Sequence, residues 1–220
     1  MIQFVKGIWA ASLCVGVLSG LGNSATAALI PVFSTGTTST GALAATGTAD
    51  ANYTLVSAPA GAGTTAFVGT NLPSVWVGNT ATSQWIAPAA NASTSQPAGA
   101  YDYRTTFSLA GLSAATAAIS GRIASDDNVT ILLNNVAMGT FSGFSTFSNF
   151  SLTTGFLAGT NTLDFIVTNA SITTFNPTGL QVNIVSATAN AVVPEPASLV
   201  LLGLGGIAVV GLARRRRATV

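Results

Sequence analysis

The chain of 220 residues contains no histidine and a single cysteine, Cys14. Without histidine it has no Ser–His or Cys–His pair for nucleophilic catalysis. Without histidine or further cysteines it also lacks the usual ligands of zinc. Because Cys14 lies in an apolar segment near the N-terminus, no disulfide can stabilise the rest of the chain. We therefore expect that the protein is not an enzyme.

Charge is equally scarce, at 6% of all residues, and it is unevenly placed. Residues 28–193 contain five aspartates and two arginines, a net charge of −3, whereas most basic residues lie at the C-terminus. A weakly acidic body with two arginines lacks the basic patch that nucleic-acid binding requires. We expect no nucleic-acid partner.

The C-terminus has three parts in a fixed order: the acidic turn Pro194, Glu195 and Pro196; an uncharged apolar run over 197–213; and the cluster Arg214, Arg215, Arg216 and Arg217. As a helix, the apolar run would be roughly 25 Å long, close to the hydrocarbon core of about 30 Å. The arginines should remain cytoplasmic. We predict a single transmembrane helix. An ordinary C-terminal membrane anchor would also contain such a helix.

This order of motifs resembles the PEP-CTERM sorting signal of Gram-negative bacteria. The resemblance implies sorting by exosortase, a membrane-embedded transpeptidase-like enzyme, with Pro194, Glu195 and Pro196 as processing determinants. It also implies an association with exopolysaccharide. We expect the chain to be anchored transiently in the inner membrane and then to reach the cell surface or the extracellular space.

The N-terminus has the features of a secretory signal peptide. Lys6 provides a basic start, residues 7–21 form an apolar core of the usual length, and Ala25 and Ala27 make an A-x-A cleavage pattern. We predict that the mature chain starts at Ala28 after export by the Sec machinery. An uncleaved N-terminal anchor is the alternative.

Between these ends, apolar and polar residues alternate as they do in strands with one buried face. Residues 129–133 and 136–138 flank Asn134 and Asn135, which predicts a hairpin because asparagine tolerates the positive φ of a primed turn. We predict further strands near 52–56, 66–68, 101–109, 119–123, 163–168 and 180–184, and a short alanine-rich helix over 113–118. The pattern predicts an all-β sandwich.

The order of motifs over roughly residues 50–188 resembles the galactose-binding-like jelly roll, which occurs as an accessory module beside glycoside hydrolases. The motifs are Trp76, 85–86, 101–107, 121–128, 131–135, 150–152, 159–165 and 176–180. The resemblance implies a jelly-roll β-sandwich that often binds carbohydrate through one loop end and often holds a structural calcium ion.

These observations predict six segments along the chain. They are a signal peptide (1–27), a flexible lead-in (28–49), a β-sandwich domain (50–189), a linker with the Pro-Glu-Pro motif (190–196), a transmembrane helix (197–213) and a basic cytoplasmic tail (214–220).

Four residues are candidates for ligand binding. Trp76, Trp85 and Tyr101 could stack on sugar rings, since an exposed aromatic ring offers an apolar face and a polar edge. The alternative is that they fill the core of the sandwich. Arg122 could donate hydrogen bonds to a ligand hydroxyl group, or it could pair with an aspartate of the protein.

Asp126, Asp127 and Asn128 place two carboxyl groups and an amide in one short stretch. Calcium binds clustered oxygen atoms of this kind, but it needs six or more of them. The alternative is a turn in which the side chains bond to their own backbone. A structural calcium ion is the one cofactor that the sequence suggests.

Three functions agree with this sequence. The first is an exported surface or extracellular protein whose β-sandwich binds polysaccharide. The second is a structural protein of the envelope or extracellular matrix without a discrete ligand. The third is a protein that adsorbs to ice or another surface, although the threonines show no fixed period. A sugar-sized groove lined by Trp76 or Trp85 would favour binding, and a loop end plugged by these residues would favour the structural role.

Overall fold

A computed structural model of the chain describes residues 26–171 and 174–192. Ala25 and the rest of the predicted signal peptide before it, Pro194, Glu195, Pro196, the predicted transmembrane segment and Arg214 to Arg217 lie outside the described residues. Within the described ranges, no helix is long and apolar enough to span a bilayer.

The described residues form strands with one short helical turn. In chain order they are β1 (Ala27–Leu29), β2 (Thr54–Ser57), β3 (Phe67–Val68), β4 (Ile86–Ala87), β5 (Gly99–Ser108), a 3-10 turn (Ala114–Thr116), β6 (Ala118–Leu133), β7 (Val136–Leu152), β8 (Thr160–Asn169) and β9 (Gly179–Asn190). The predicted helix over 113–118 is therefore a three-residue 3-10 turn.

Strand β6 belongs to both layers of the sandwich. Its residues 118–126 pair with β9, and its residues 128–133 pair with β8. The full order is β2-β5-β8-β6-β9-β4-β3, with β1 added to β9 and β7 added to β6. All these pairs are antiparallel. The single sheet therefore bends along β6 and closes into two layers.

Both layers send alternate side chains into one main core. The layer of β5, β8 and the second half of β6 contributes Tyr103, Phe165 and Ile131, and the layer of β9 and the first half of β6 contributes Val182 and Ile119. All five are fully buried. The predicted all-β jelly-roll β-sandwich is confirmed for the described residues.

The predicted hairpin between β6 and β7 is confirmed. Asn134 and Asn135 have φ angles of 52° and 65°, as a primed two-residue turn requires. The Asn134 side chain fixes the turn to β8: its Nδ2 donates to Asn161 Oδ1 at 2.8 Å and its Oδ1 accepts from Thr162 N at 3.0 Å. The strand that follows is much longer than the predicted 136–138.

The predicted flexible lead-in over 28–49 is wrong, because this segment packs against the sandwich. Ile30 and Val32 lie in the main core. The Thr35 hydroxyl group donates to the Gln84 carbonyl oxygen at 2.7 Å and accepts from Val182 N at 3.0 Å. These partners are distant in sequence, so the small Gly, Ser and Thr residues of the lead-in gave no local sign of them.

The start of the predicted linker over 190–196 also belongs to the body. Asn190 is the last residue of β9, and Val192 N donates to the Gly111 carbonyl oxygen at 2.9 Å. The neighbouring Ala191 N donates to the Thr26 carbonyl oxygen at 3.0 Å. The two ends of the described chain therefore leave the sandwich side by side.

We expect Ile30→Ala to lower the free energy of unfolding by about 2–4 kcal/mol, because it removes buried methyl groups from the core. Leu29→Ala is the matched control: Leu29 is 81% exposed whereas Ile30 is 3% exposed, and the control should change stability by less than about 0.5 kcal/mol. Urea unfolding of the three proteins measures both effects. Equal stability of all three would show that the lead-in does not contribute to the fold.

Candidate functional site

The three aromatic candidates for sugar stacking lie inside the protein. Trp76 is 6% exposed, and Trp85 and Tyr101 are fully buried. Trp85 Nε1 donates to the Val77 carbonyl oxygen at 2.7 Å, and the Tyr101 hydroxyl group donates to the Pro97 carbonyl oxygen at 2.7 Å. A ring without an exposed face cannot stack on a sugar, so this prediction is wrong and the three residues are core residues.

The two tryptophans build a second, smaller core on the outer face of one layer. Their ring centroids are 4.2 Å apart, and the chain between β3 and β5 brings them over Ala124 of β6. Gly179 makes this packing possible, since a Cβ atom there would lie 2.7 Å from a ring carbon of Trp76. Sequence alternation shows that a strand has two faces, but not that a distant loop covers the outer one.

Asp126 is hydrogen-bonded to this second core. Trp76 Nε1 donates to Asp126 Oδ2 at 2.8 Å, and the Thr178 hydroxyl group donates to the Asp126 carbonyl oxygen at 2.6 Å. Burial, opposed by the hydrogen bond from Trp76 and assisted by the nearby Asp127 carboxyl group, raises the pKa of the Asp126 carboxyl group to about 7. The environment therefore favours the neutral acid.

Of the other two candidate calcium ligands, Asp127 is hydrogen-bonded within the protein and Asn128 is exposed. Asp127 Oδ2 accepts from Ala170 N at 2.8 Å, and the Asp127 carbonyl oxygen accepts from the Ser125 hydroxyl group at 3.0 Å. Asn128 lies on the exposed surface of β6. In the described ranges no three acidic, histidine or cysteine residues cluster as metal ligands would. Asp126 Oδ2 and Asp127 Oδ2 already accept hydrogen bonds from Trp76 Nε1 and Ala170 N, and the calcium ion that the sequence suggests remains a prediction.

Of the two arginines in the described residues, Arg104 has a structural role. Its Nε lies 2.5 Å from Asp164 Oδ1 across the β5–β8 pair. Asp164 is buried, so the ion pair is partly shielded from water. Burial first, and then the Asp164 carboxylate, raise the pKa of the neighbouring Asp102. Arg104 is therefore paired within the protein.

Arg122 is the one ligand-binding candidate whose side chain is exposed. It lies on β6 between Ile119 and Ile123, which face the core, and its position in the alternation turns it to the outer face. Its Cζ lies 5.0 Å from the centroid of the Phe147 ring, within the range of a cation–π contact. No ion pair involves Arg122 within residues 26–171 and 174–192.

Polar side chains surround Arg122 on the outer face. In the strand register Arg122 lies opposite Asn149 of β7 and Asn183 of β9. Two residues earlier on the same face of β6, Ser120 lies opposite Ser151 of β7 and Ser186 of β9. Asn149, Ser151 and Ser186 are exposed, whereas Asn183 is buried and accepts from the Thr82 hydroxyl group at 3.3 Å. We call this surface the Arg122 strip; it comprises Ser120, Arg122, Phe147, Asn149, Ser151 and Ser186.

The chemistry of the Arg122 strip is that of a hydrogen-bonding platform. A guanidinium group offers a planar fork of donors, and the amide and hydroxyl groups beside it both donate and accept. Phe147 holds the guanidinium group from one side and leaves its outer edge to solvent. The sequence named Arg122 as a candidate, but it did not indicate Asn149 or Phe147 as neighbours because they lie on another strand.

We expect stability to fall as the pH rises from about 5 to 8. The folded protein keeps the Asp126 proton up to a pKa of about 7, whereas the unfolded chain loses it near the ordinary value of 3.8. The folded state therefore binds more protons in this window, and Asp126→Asn should remove about 2 kcal/mol of the fall while keeping an acceptor for Trp76. Urea unfolding at pH 5 and pH 8 measures the difference. A pH dependence unchanged by the substitution would contradict this assignment.

Comparison with solved structures gives weak similarities to carbohydrate-binding modules. A variant of a family 29 module is 15% identical, with 63% of this chain and 90% of that chain covered and a TM-score of 0.31. A family 35 module from an environmental isolate is 16% identical, with 64% and 98% covered and a TM-score of 0.30. The family 35 module of Paenibacillus barcinonensis is 15% identical, with 53% and 90% covered and a TM-score of 0.30. Similarities this weak carry no argument about the site, so its description depends only on the contacts given above.

The C-terminus gives a specific match. No curated protein sequence matches this chain. Residues 192–217, however, match the family model described as the PEP-CTERM protein-sorting motif. The match confirms the resemblance seen in the sequence, and it indicates export, processing by the membrane enzyme exosortase and sorting toward the cell surface. The chain therefore carries a PEP-CTERM sorting motif behind an all-β body.

Proposed function

We propose that this protein is exported, sorted by exosortase, and attached to polysaccharide at the cell surface or in the extracellular matrix through the Arg122 strip. The observation that carries the proposal is Arg122 itself. It is exposed on a strand, lies over the Phe147 ring and makes no ion pair within the described part of the chain. A cation held in this way is free to bind an external partner.

The sorting motif supports the location in this proposal. Residues 192–217 match the PEP-CTERM model, and β9 ends at Asn190, so the motif begins directly after the sandwich. With so short a connection, the body would stay close to the membrane until the tail is processed. A surface that binds polysaccharide would then meet the polymer where it leaves the cell.

The chemistry of the strip favours a sugar polymer over a folded partner. Hydroxyl, amide and guanidinium groups match vicinal sugar hydroxyls, and the guanidinium fork also matches the carboxylate of an acidic sugar. The strip offers few apolar side chains, whereas the centres of protein interfaces are enriched in aromatic and other apolar residues. We therefore favour a polysaccharide that carries acidic sugars.

The burial of three aromatic residues favours a second candidate function, a structural protein without a discrete ligand. Trp76, Trp85 and Tyr101 stabilise the sandwich and leave no aromatic platform among the predicted positions. On this alternative, the outer faces would serve only to keep the protein soluble in the matrix. Loss or retention of binding by Arg122 variants separates the two candidates.

We expect Arg122→Ala to weaken polysaccharide binding by roughly tenfold or more, because it removes the charge-assisted hydrogen bonds of the strip. The matched control is Thr106→Ala, an exposed β5 residue on the outer face of the other layer, which should leave affinity unchanged. Titration with exopolysaccharide from the producing cells, by calorimetry, measures both. No saturable binding by the unaltered protein would favour the structural role instead.

We expect replacement of Pro194, Glu195 and Pro196 by alanine to leave a larger, membrane-retained form, because in this proposal exosortase recognises these residues within the matched sorting motif. Immunoblotting and intact mass measurement of membrane and extracellular fractions test this. The control replaces Ala197, Ser198 and Thr219 conservatively by glycine, alanine and serine, and it should be processed normally. An unchanged processed mass for the alanine variant would argue against exosortase processing at this motif.

A further inference from the structure

An apolar groove lies along one edge of the sandwich, between β9 and the stretch 29–33 that begins at the end of β1. The two segments are held together by the backbone, where Ile30 N donates to the Ala187 carbonyl oxygen at 2.9 Å. They line a groove of about 460 Å³ with residues 29–33 and 184–187, of which Ser186 alone is polar. The groove is therefore an almost wholly apolar surface.

The stretch beside β9 is apolar on both of its faces. Ile30 and Val32 are buried in the main core, whereas Leu29 and Pro31 between them are exposed. A strand with one face in water normally carries polar residues on that face. Across the groove, Val185 of β9 is 66% exposed. Contiguous exposed apolar side chains of this kind mark a surface that contacts another molecule or a membrane.

The groove lies next to the point where the chain leaves the body. Leu29 pairs with Thr188, which is four residues before Val192, the last described residue. Along a strand this separation is roughly 14 Å. Residues 193–196 connect Val192 to the predicted transmembrane segment, and this connection spans at most roughly 18 Å. In the anchored stage, the membrane therefore lies within reach of the groove.

The charge around the groove matches a membrane that contains anionic lipids. Residues 26–34 and 184–192 contain no charged side chain, so the groove itself brings no negative charge to the membrane. On the same outer face the exposed Arg122 pairs with Asn183, two residues before Val185. Attachment to a membrane surface grows with the apolar area that is buried and with the attraction of cations to anionic lipids. Both contributions occur side by side here.

We propose that the groove lies against the bilayer surface while the chain is still anchored. Leu29, Pro31 and Val185 would enter the boundary between lipid headgroups and acyl chains, and Arg122 would lie near the lipid phosphates. This inference rests on the anchored stage of the proposed function and concerns the period before the tail is processed. Processing would remove the connection to the membrane and leave the Arg122 strip available to the polymer.

The anchor itself favours the bilayer as the occupant of the groove. A short flexible connection gives two linked surfaces a high effective concentration, so that even a weak apolar contact forms most of the time. A second copy of the chain, or a soluble partner, would instead have to reach the groove by diffusion. The bilayer is the one apolar surface that the short connection holds beside the groove in the anchored stage.

The test places a single fluorophore in the groove. Cys14 is the one cysteine of the chain, so Val185→Cys in a Cys14→Ala background provides one attachment site. Thr106→Cys, on the exposed outer face of the other layer, is the matched control position. The full chain is reconstituted into vesicles of phosphatidylethanolamine and phosphatidylglycerol with or without a nitroxide quencher on the acyl chains. Flotation of the vesicles measures anchoring separately.

We expect nitroxide-labelled lipids to lower the fluorescence at position 185 by about twofold or more, and to leave the fluorescence at position 106 nearly unchanged. Leu29→Asp should remove most of the quenching at position 185, because it places a negative charge in the apolar contact. Leu157→Asp is the matched control, since Leu157 is an exposed leucine outside the groove, and it should keep the quenching. Urea unfolding shows whether both variants fold.

The possible failures are distinguishable from one another. If the chain floats with the vesicles but position 185 is not quenched, or is quenched no more than position 106, the groove contact is refuted and the anchored stage stands. If the chain does not float, the anchored stage fails together with this inference. Protection of position 185 from aqueous iodide without nitroxide quenching would indicate another occupant, such as a second copy, and would also overturn the proposal. Polysaccharide binding by Arg122 is measured in its own titration.

Discussion

The sandwich depends on the backbone pairing of a single bent strand. Strand β6 pairs with β9 along 118–126, with β8 along 128–133, and with β7 on its other side. Both layers are thus hydrogen-bonded to one continuous segment, and the main core lies between its two halves. Because β6 contributes strand pairs to both layers, substitutions that disturb its alternation of core-facing and outward-facing side chains should affect both layers at once.

The described body has few charged side chains, and several of them are paired within the protein. Arg104 and Asp164 neutralise each other across two strands, and Asp126 is held by Trp76 in an environment that favours the uncharged acid. Each of these groups is committed to structure. Arg122 differs because it lies exposed on the outer face, and this contrast, more than any motif, is the reason why we propose the Arg122 strip as the surface for an external ligand.

Local pattern predicted the regular strands but failed where distant contacts decide the structure. The alternation over 101–109 and the turn at Asn134 and Asn135 were read correctly, because period-two patterning and positive φ are local properties. Strand β7 was missed beyond residue 138. Its phenylalanines recur every third residue, and the structure sends Phe141 and Phe150 to the main core but Phe144 and Phe147 to the second core. Register shifts between β6 and β7 permit this change of face, and no local pattern reveals them.

The sequence by itself determined the address of this protein, because a sorting signal is recognised as a linear order of motif, hydropathy and charge, and residues 192–217 display that order directly. It also determined the all-β class through alternation. The tertiary structure alone decided which candidate side chains reach solvent. Trp76, Trp85 and Arg122 all looked available for a ligand, yet the chain between β3 and β5 covers the tryptophans and leaves Arg122 exposed. Exposure depends on which distant segment covers a face, and that information is not local in the chain.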